Sequence, residues 1–76
     1  MAVLRLFAAA RTAAGTARDV LQGETVADVL RAAVARYGDD FAAVLPVCAV
    51  WVNGEPALDA TPVGPDDEVG VLPPVS

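Results

Sequence analysis

Between Val26 and Tyr37 the apolar residues Val26, Val29, Leu30, Ala33, Val34 and Tyr37 recur at the spacing of one helix face. Arg31 and Arg36 fall away from that face. Thr25 is a good N-cap, and Asp28 follows it in a capping-box pattern. The acid also suits the positive end of the helix dipole. Gly38 can take the left-handed backbone that ends a helix. The spacing predicts a helix over 26–37.

Other segments alternate instead. Val3 to Phe7 reads as a strand with Leu4 and Leu6 inward and Val3, Arg5 and Phe7 outward. Val47 to Asn53 reads as a second strand, rich in Val and carrying Trp51. Pro46 stands just before it, where a missing N–H does little harm. Asn53-Gly54 is a strong hairpin-turn signal. Pro56 and Pro62 keep the next segment short or at an edge. Gly64-Pro65-Asp66-Asp67 is a turn, and Glu68 to Leu72 is the last strand, with Val69 and Val71 inward. Arg18 to Leu21 is a weaker strand, and Ala8 to Ala14 a short helical turn stopped by Gly15. The order is strand, strand, helix, strand, short strand, strand. It implies an α+β fold: a mixed sheet with one main helix packed on one face. One helix covers one face, so the other is expected to be partly open to a partner.

Length and charge narrow the function. Seventy-six residues make one domain, 1–76, with a tail from about Leu72. Such a chain buries only about 60% of its unfolded surface, leaving little room for a deep catalytic cleft. Its 55% hydrophobic content excludes disorder, and no apolar run approaches a membrane span. Ten acids against five bases, all Arg, give a net charge of −5. The basic face needed for nucleic acid is missing, and a basic partner protein suits the chain better. With no His and one Cys, zinc sites, Cys-His pairs and Ser-His-Asp triads cannot be built within it. A disulfide scaffold is excluded as well, and the start Met1-Ala-Val-Leu-Arg-Leu-Phe is not a signal peptide. The expected location is the cytoplasm.

Few residues offer chemistry. Cys48 alternates with Val50 and Val52 and reads as a small apolar strand residue, with no His or Lys to activate it. Asp39-Asp40 and Asp66-Asp67-Glu68 read as solvated turns without the alternating ligands of a calcium loop; their functional use would be a basic partner. Neither a catalytic nor a metal site is expected. Trp51 points opposite Val50 and Val52, onto the outer face with Val3 and Phe7. Phe7 and Trp51 are therefore interface candidates, the alternative for Trp51 being a cap on the sheet edge. The end, Leu72, Pro73, Pro74, Val75 and Ser76, leaves the last strand directly into Pro-Pro. That pair favours a stiff projecting arm, whereas chain ends are commonly disordered. Composition alone does not choose between the two.

Several of these features together resemble the MoaD family. They are Leu6-Phe7-Ala8 followed by an Arg and a Gly, the helix start Thr25-Val26-Ala27-Asp28-Val29-Leu30 and the turn Asn53-Gly54-Glu55. Thr61-Pro62, the Pro-Asp-Asp-Glu-Val run and the ending Leu-Pro-Pro-Val-Ser complete the set. Each motif is weak alone, but their order spans nearly the whole chain. The resemblance implies the ubiquitin-like β-grasp fold that MoaD shares with the thiamine sulfur carrier ThiS. It implies the small subunit of molybdopterin synthase: a non-catalytic sulfur carrier in a sulfurtransferase whose active site lies on the large subunit.

In that family a terminal Gly-Gly carboxylate is adenylated, with ATP, by an enzyme of MoeB type that resembles ubiquitin-activating enzymes. Sulfur then replaces AMP to give a thiocarboxylate. A MoaE-like large subunit, in a heterotetramer, takes the tail, and the sulfur passes to cyclic pyranopterin monophosphate. The implied carrier binds no cofactor itself and needs neither nucleic acid nor membrane. Its functional arm would be Leu72 to Ser76. Five extended residues from Pro74 through two added glycines would span roughly 17 Å, enough to thread a neighbour's pocket. The sequence stops at Ser76 without the Gly-Gly, and in that form it could dock but not carry sulfur. The other readings are a carrier for thiamine or amino-acid synthesis and a ubiquitin-like module with no covalent chemistry.

Overall fold

The computed structural model describes residues 1–74. Helix α2 (Val26–Tyr37) has the bounds its periodicity predicts. Val26, Val29, Leu30 and Ala33 are buried on its apolar face. Thr25 caps it by accepting a hydrogen bond from the Asp28 N–H (3.3 Å). Asp28 completes the cap one residue earlier than a capping box would, accepting from the Glu24 N–H (3.4 Å). The helix end differs from expectation: Gly38 has φ 90° and ψ −161°, a positive φ outside the left-handed helical region. The Gly38 N–H still closes the last helical turn on the Val34 carbonyl (2.9 Å), and the chain then turns sharply away.

Beyond that turn lies an element the pattern did not reveal. Asp39–Val44 forms α3, and Leu45–Val47 a single 3-10 turn with Pro46 near its start. Asp39 and Asp40 are not in a solvated loop; they occupy the first helical turn, where the helix dipole favours acids. Phe41 drives the arrangement. Its side chain is fully buried, and its ring meets Tyr37 edge to face at 5.3 Å. Pro46 favours the helical turn, so the strand starts later than predicted, and Cys48 precedes it.

The remaining elements follow the predicted order: β1 (Ala2–Leu6), α1 (Ala8–Ala14), β2 (Arg18–Leu21), β3 (Ala49–Val52), β4 (Glu55–Pro56) and β5 (Glu68–Leu72). The sheet order is β2-β1-β5-β3-β4. The central pair, β1 with β5, is parallel and the other pairs are antiparallel, so the sheet is mixed. Leu4, Leu6, Val69 and Val71 are buried beneath α2, as their alternation requires. Asn53 (φ 52°) and Gly54 (φ 83°) both take positive φ at the β3–β4 hairpin, as the Asn-Gly signal implies.

Side-chain bonds tie the parts together. Tyr37 Oη donates to Asp19 Oδ2 (2.7 Å), and Arg36 Nη1 donates to both Asp19 oxygens (3.0 Å each), which pins the end of α2 to β2. The bond from Tyr37 holds the Asp19 carboxyl below the usual carboxylate range, with smaller help from the Val20 N–H and Arg36. Asn53 joins two turns: its Nδ2 donates to Asp67 (2.9 Å), and its Oδ1 accepts from the Glu68 N–H (2.9 Å).

Phe41 provides the test of α3. Phe41→Ala is expected to cost about 3–5 kcal/mol in urea unfolding, most of what a domain this small has. Phe41→Leu should fold with a smaller loss. A loss under about 1 kcal/mol for the alanine variant would show that α3 is not part of the core.

Candidate functional site

The sheet has two unlike faces. On the helix side lie the buried Leu4, Leu6, Val69 and Val71, packed with Val50 and Val52. On the other side, register sets Arg5 of β1, Gly70 of β5 and Trp51 of β3 in one row. Phe7 and Leu72 close one end of a shallow groove over that row, and Asn53, Gly54 and Glu68 the other. Trp51 is 36% exposed, Phe7 42% and Leu72 36%, which is high for large apolar side chains.

Each wall has a local cause. Ala8 takes φ 51°, so the chain swings away from the sheet directly after β1 and leaves Phe7 at the sheet's end. The Phe7 N–H still bonds the Val71 carbonyl (3.3 Å), holding Phe7 beside the end of β5. Gly70 forms the floor. A Cβ there would sit 3.5 Å from Leu72 Cδ1 and 3.8 Å from Phe7 Cε2, so glycine keeps a trough open between larger neighbours. Arg5 and Glu68 pair across the floor at 3.5 Å. Both are about half exposed, so the pair contributes little stability.

The structure therefore brings together Phe7, Trp51 and Leu72, three of the residues the sequence singles out. Leu72 ends β5; Pro73 follows half-buried and Pro74 exposed, so the tail leaves the sheet beside Phe7. Val75 and Ser76 lie outside the described residues. Arg5, Asn53, Gly54, Glu68 and Gly70 also line the groove, although the sequence pattern did not mark them as a site. The signal for Arg5 and Gly70 was the outward alternation of β1 and β5, which acquires meaning only with the parallel register.

The other chemical candidates lie elsewhere. Cys48 packs on the helix side with Val50, and its Sγ lies 3.3 Å from the Val44 carbonyl oxygen. Burial pushes its thiol pKa up, the wrong direction for a nucleophile. Asp67 is committed to Asn53 and to the Gly64 N–H (2.8 Å), bonds that hold its carboxyl low and the turn closed. Among the described residues, no group of three acid or thiol side chains is placed to hold a metal ion. Nor is any helix among them long and apolar enough to cross a membrane. The groove offers apolar contact next to an emerging chain end. That arrangement is suited to contact with another protein at the root of the tail.

The sequence pattern of the ThiS family, whose β-grasp superfamily includes MoaD, matches residues 4–76, tail included. The chain belongs to the ThiS family. Among solved structures, SAMP1 from Haloferax volcanii is 31% identical over 99% of this chain and 96% of its own, with a TM-score of 0.76. A chain of the Amycolatopsis orientalis BexX/CysO complex is 20% identical over 100% and 98%, with a TM-score of 0.84. A Pyrococcus furiosus protein described as a proposed molybdopterin converting factor, subunit 1, is 24% identical over 97% of each chain, with a TM-score of 0.81. The last two likenesses carry the fold alone. No curated protein sequence is a significant match. This ThiS-family domain thus has the ubiquitin-like β-grasp fold and is of the sulfur-carrier or ubiquitin-like small-modifier type.

Gly70 separates contact surface from scaffold. A Cβ at Gly70 would meet its neighbours at ordinary contact distance, so Gly70→Ala should fold. It should keep or raise the urea midpoint, since glycine weakens a strand by roughly 0.5–1 kcal/mol. A loss above about 1 kcal/mol would instead make Gly70 a requirement of the fold.

Proposed function

We propose that the chain is the sulfur-carrier small subunit of molybdopterin synthase, working in the cytoplasm. A Gly-Gly-ended form of the tail attacks ATP through its carboxylate in a MoeB-type adenylating enzyme, releasing pyrophosphate and leaving an acyl-adenylate. A sulfur nucleophile displaces AMP, and a thiocarboxylate remains. A MoaE-like large subunit, joined in a heterotetramer, receives the tail, and its active site passes the sulfur to cyclic pyranopterin monophosphate.

The observation that carries this reading is the junction at Leu72, where β5 runs beside the exposed Phe7 and Trp51 directly into Pro73-Pro74. A partner seated on the groove would find the tail already aimed along its surface. The Leu-Pro-Pro-Val-Ser ending favours the molybdopterin branch. The chemistry asks nothing of the carrier's side chains, because adenylation alone makes the carboxylate a good acyl electrophile. The net charge of −5 suits basic partner pockets and speeds encounter with them. Two glycines at the end would pass a narrow channel that a side chain obstructs.

A second reading has its own support. The 31% identity to SAMP1, a small archaeal modifier protein, favours a chain whose activated end is joined to other proteins. Delivery of sulfur to thiamine or amino-acid synthesis uses the same activation.

One reconstitution distinguishes them. The Gly-Gly-extended chain is incubated with the adenylating enzyme, ATP and a sulfur donor, then with the large subunit and the pterin precursor. The first step should give the mass gain of one oxygen replaced by sulfur, and the second should give molybdopterin. Trp51→Ala should gain the same mass yet bind the large subunit about tenfold more weakly or worse. Conjugation to other proteins without molybdopterin would favour the modifier, and no mass change at all would leave the non-covalent module.

A further inference from the structure

Open sheet edges invite pairing with another chain, and β2 is an edge strand in this sheet. The Leu6 N–H donates to the Ala17 carbonyl (2.9 Å), and Leu4 and Ala2 stand opposite Asp19 and Leu21. In an antiparallel ladder the backbone groups alternate in direction. Those of Arg18 and Val20 therefore face outward, away from β1. Val20 is also 41% exposed, so an apolar side chain stands on this edge.

Three of these four outward groups are nevertheless occupied, all but the Val20 carbonyl. Thr16 Oγ1 donates to the Arg18 carbonyl (2.9 Å) and accepts from the Arg18 N–H (3.4 Å). Asp19 Oδ1 accepts from the Val20 N–H (2.8 Å). Asp19 cannot easily swing away, because Tyr37 and Arg36 of α2 hold the same carboxylate. At the opposite edge, β4 ends in Pro56, which has no N–H to offer.

We propose that Thr16 and Asp19 lock the β2 edge and so prevent a second copy of this chain from pairing with it strand to strand. An isologous two-fold pairing of β2 with β2 is the association the lock opposes, since the same edge would serve both copies. With both edges short of free N–H donors, the open sheet face is left as the surface for partners. The inference is independent of which sulfur or modifier pathway the chain serves.

Sedimentation of three forms, with amide exchange, tests it. The native chain should be monomeric at high concentration. Thr16→Val/Asp19→Val removes both caps and should associate. Tyr37→Phe/Arg36→Gln removes the cross-links to α2 but keeps the caps, and should stay monomeric. Thr16→Val alone keeps the Asp19 network; it should fold and exchange its Arg18 amide about fivefold faster, the equivalent of one lost net hydrogen bond, with β1 amides unchanged. The lock is refuted if the native chain pairs through β2, or if the two double variants behave alike. An uncapped variant that folds and stays monomeric, or an unchanged Arg18 amide in Thr16→Val, refutes it equally.

Discussion

The parallel pairing of β1 with β5 is the constraint on which the other features rest. It joins the two ends of the sequence at the centre of the sheet, through Val3 to Leu6 beside Glu68 to Val71. Burial of Leu4, Leu6, Val69 and Val71 under α2 drives it, and the hydrophobic transfer of four such side chains is worth about 6–12 kcal/mol before entropic costs. Two parallel strands that start together also end together. Phe7 and the residues after Leu72 therefore leave the sheet at the same end, and the outward alternation puts Arg5 and Gly70 side by side. Site and tail are thus consequences of one strand pairing.

Much of this was legible in the sequence because the relevant signals are local. Thr25, the apolar face of 26–37, the alternation of Leu4 with Leu6 and of Val69 with Val71, and Asn53-Gly54 each act within a few residues. The outward placement of Phe7 and Trp51 followed from that alternation. What was missed is non-local. Six residues of α3 are too short to show a helical period, and Phe41 joins the core only because Gly38 turns the chain back towards Tyr37. The groove likewise needed the register of three strands, which no single segment specifies. Gly70 looks like a weak strand residue until Phe7, Trp51 and Leu72 are placed around it.

The chemistry of the molecule is consistent with its packing. Its strongest polar contacts serve scaffold roles: Asp19 anchors α2 and Asp67 closes a turn. The lone thiol is half-buried with its pKa raised, on the side away from the groove. The charged side chains at the groove floor, Arg5 and Glu68, largely satisfy each other. What the surface retains at the root of the tail is apolar area, on a chain whose net charge is −5. Under the proposed function, such a domain contributes recognition and a terminus, and leaves bond-making to the protein it meets.

The direct test of that account is a chemical-shift titration of the isotopically labelled chain with the MoaE-like large subunit proposed as its partner. Perturbations should concentrate at Phe7, Trp51, Gly70, Leu72 and the residues after it, with α2, α3 and β2 little changed. Perturbations centred on the exposed side of α2 and on Cys48, with Trp51 and Gly70 unmoved, would contradict it.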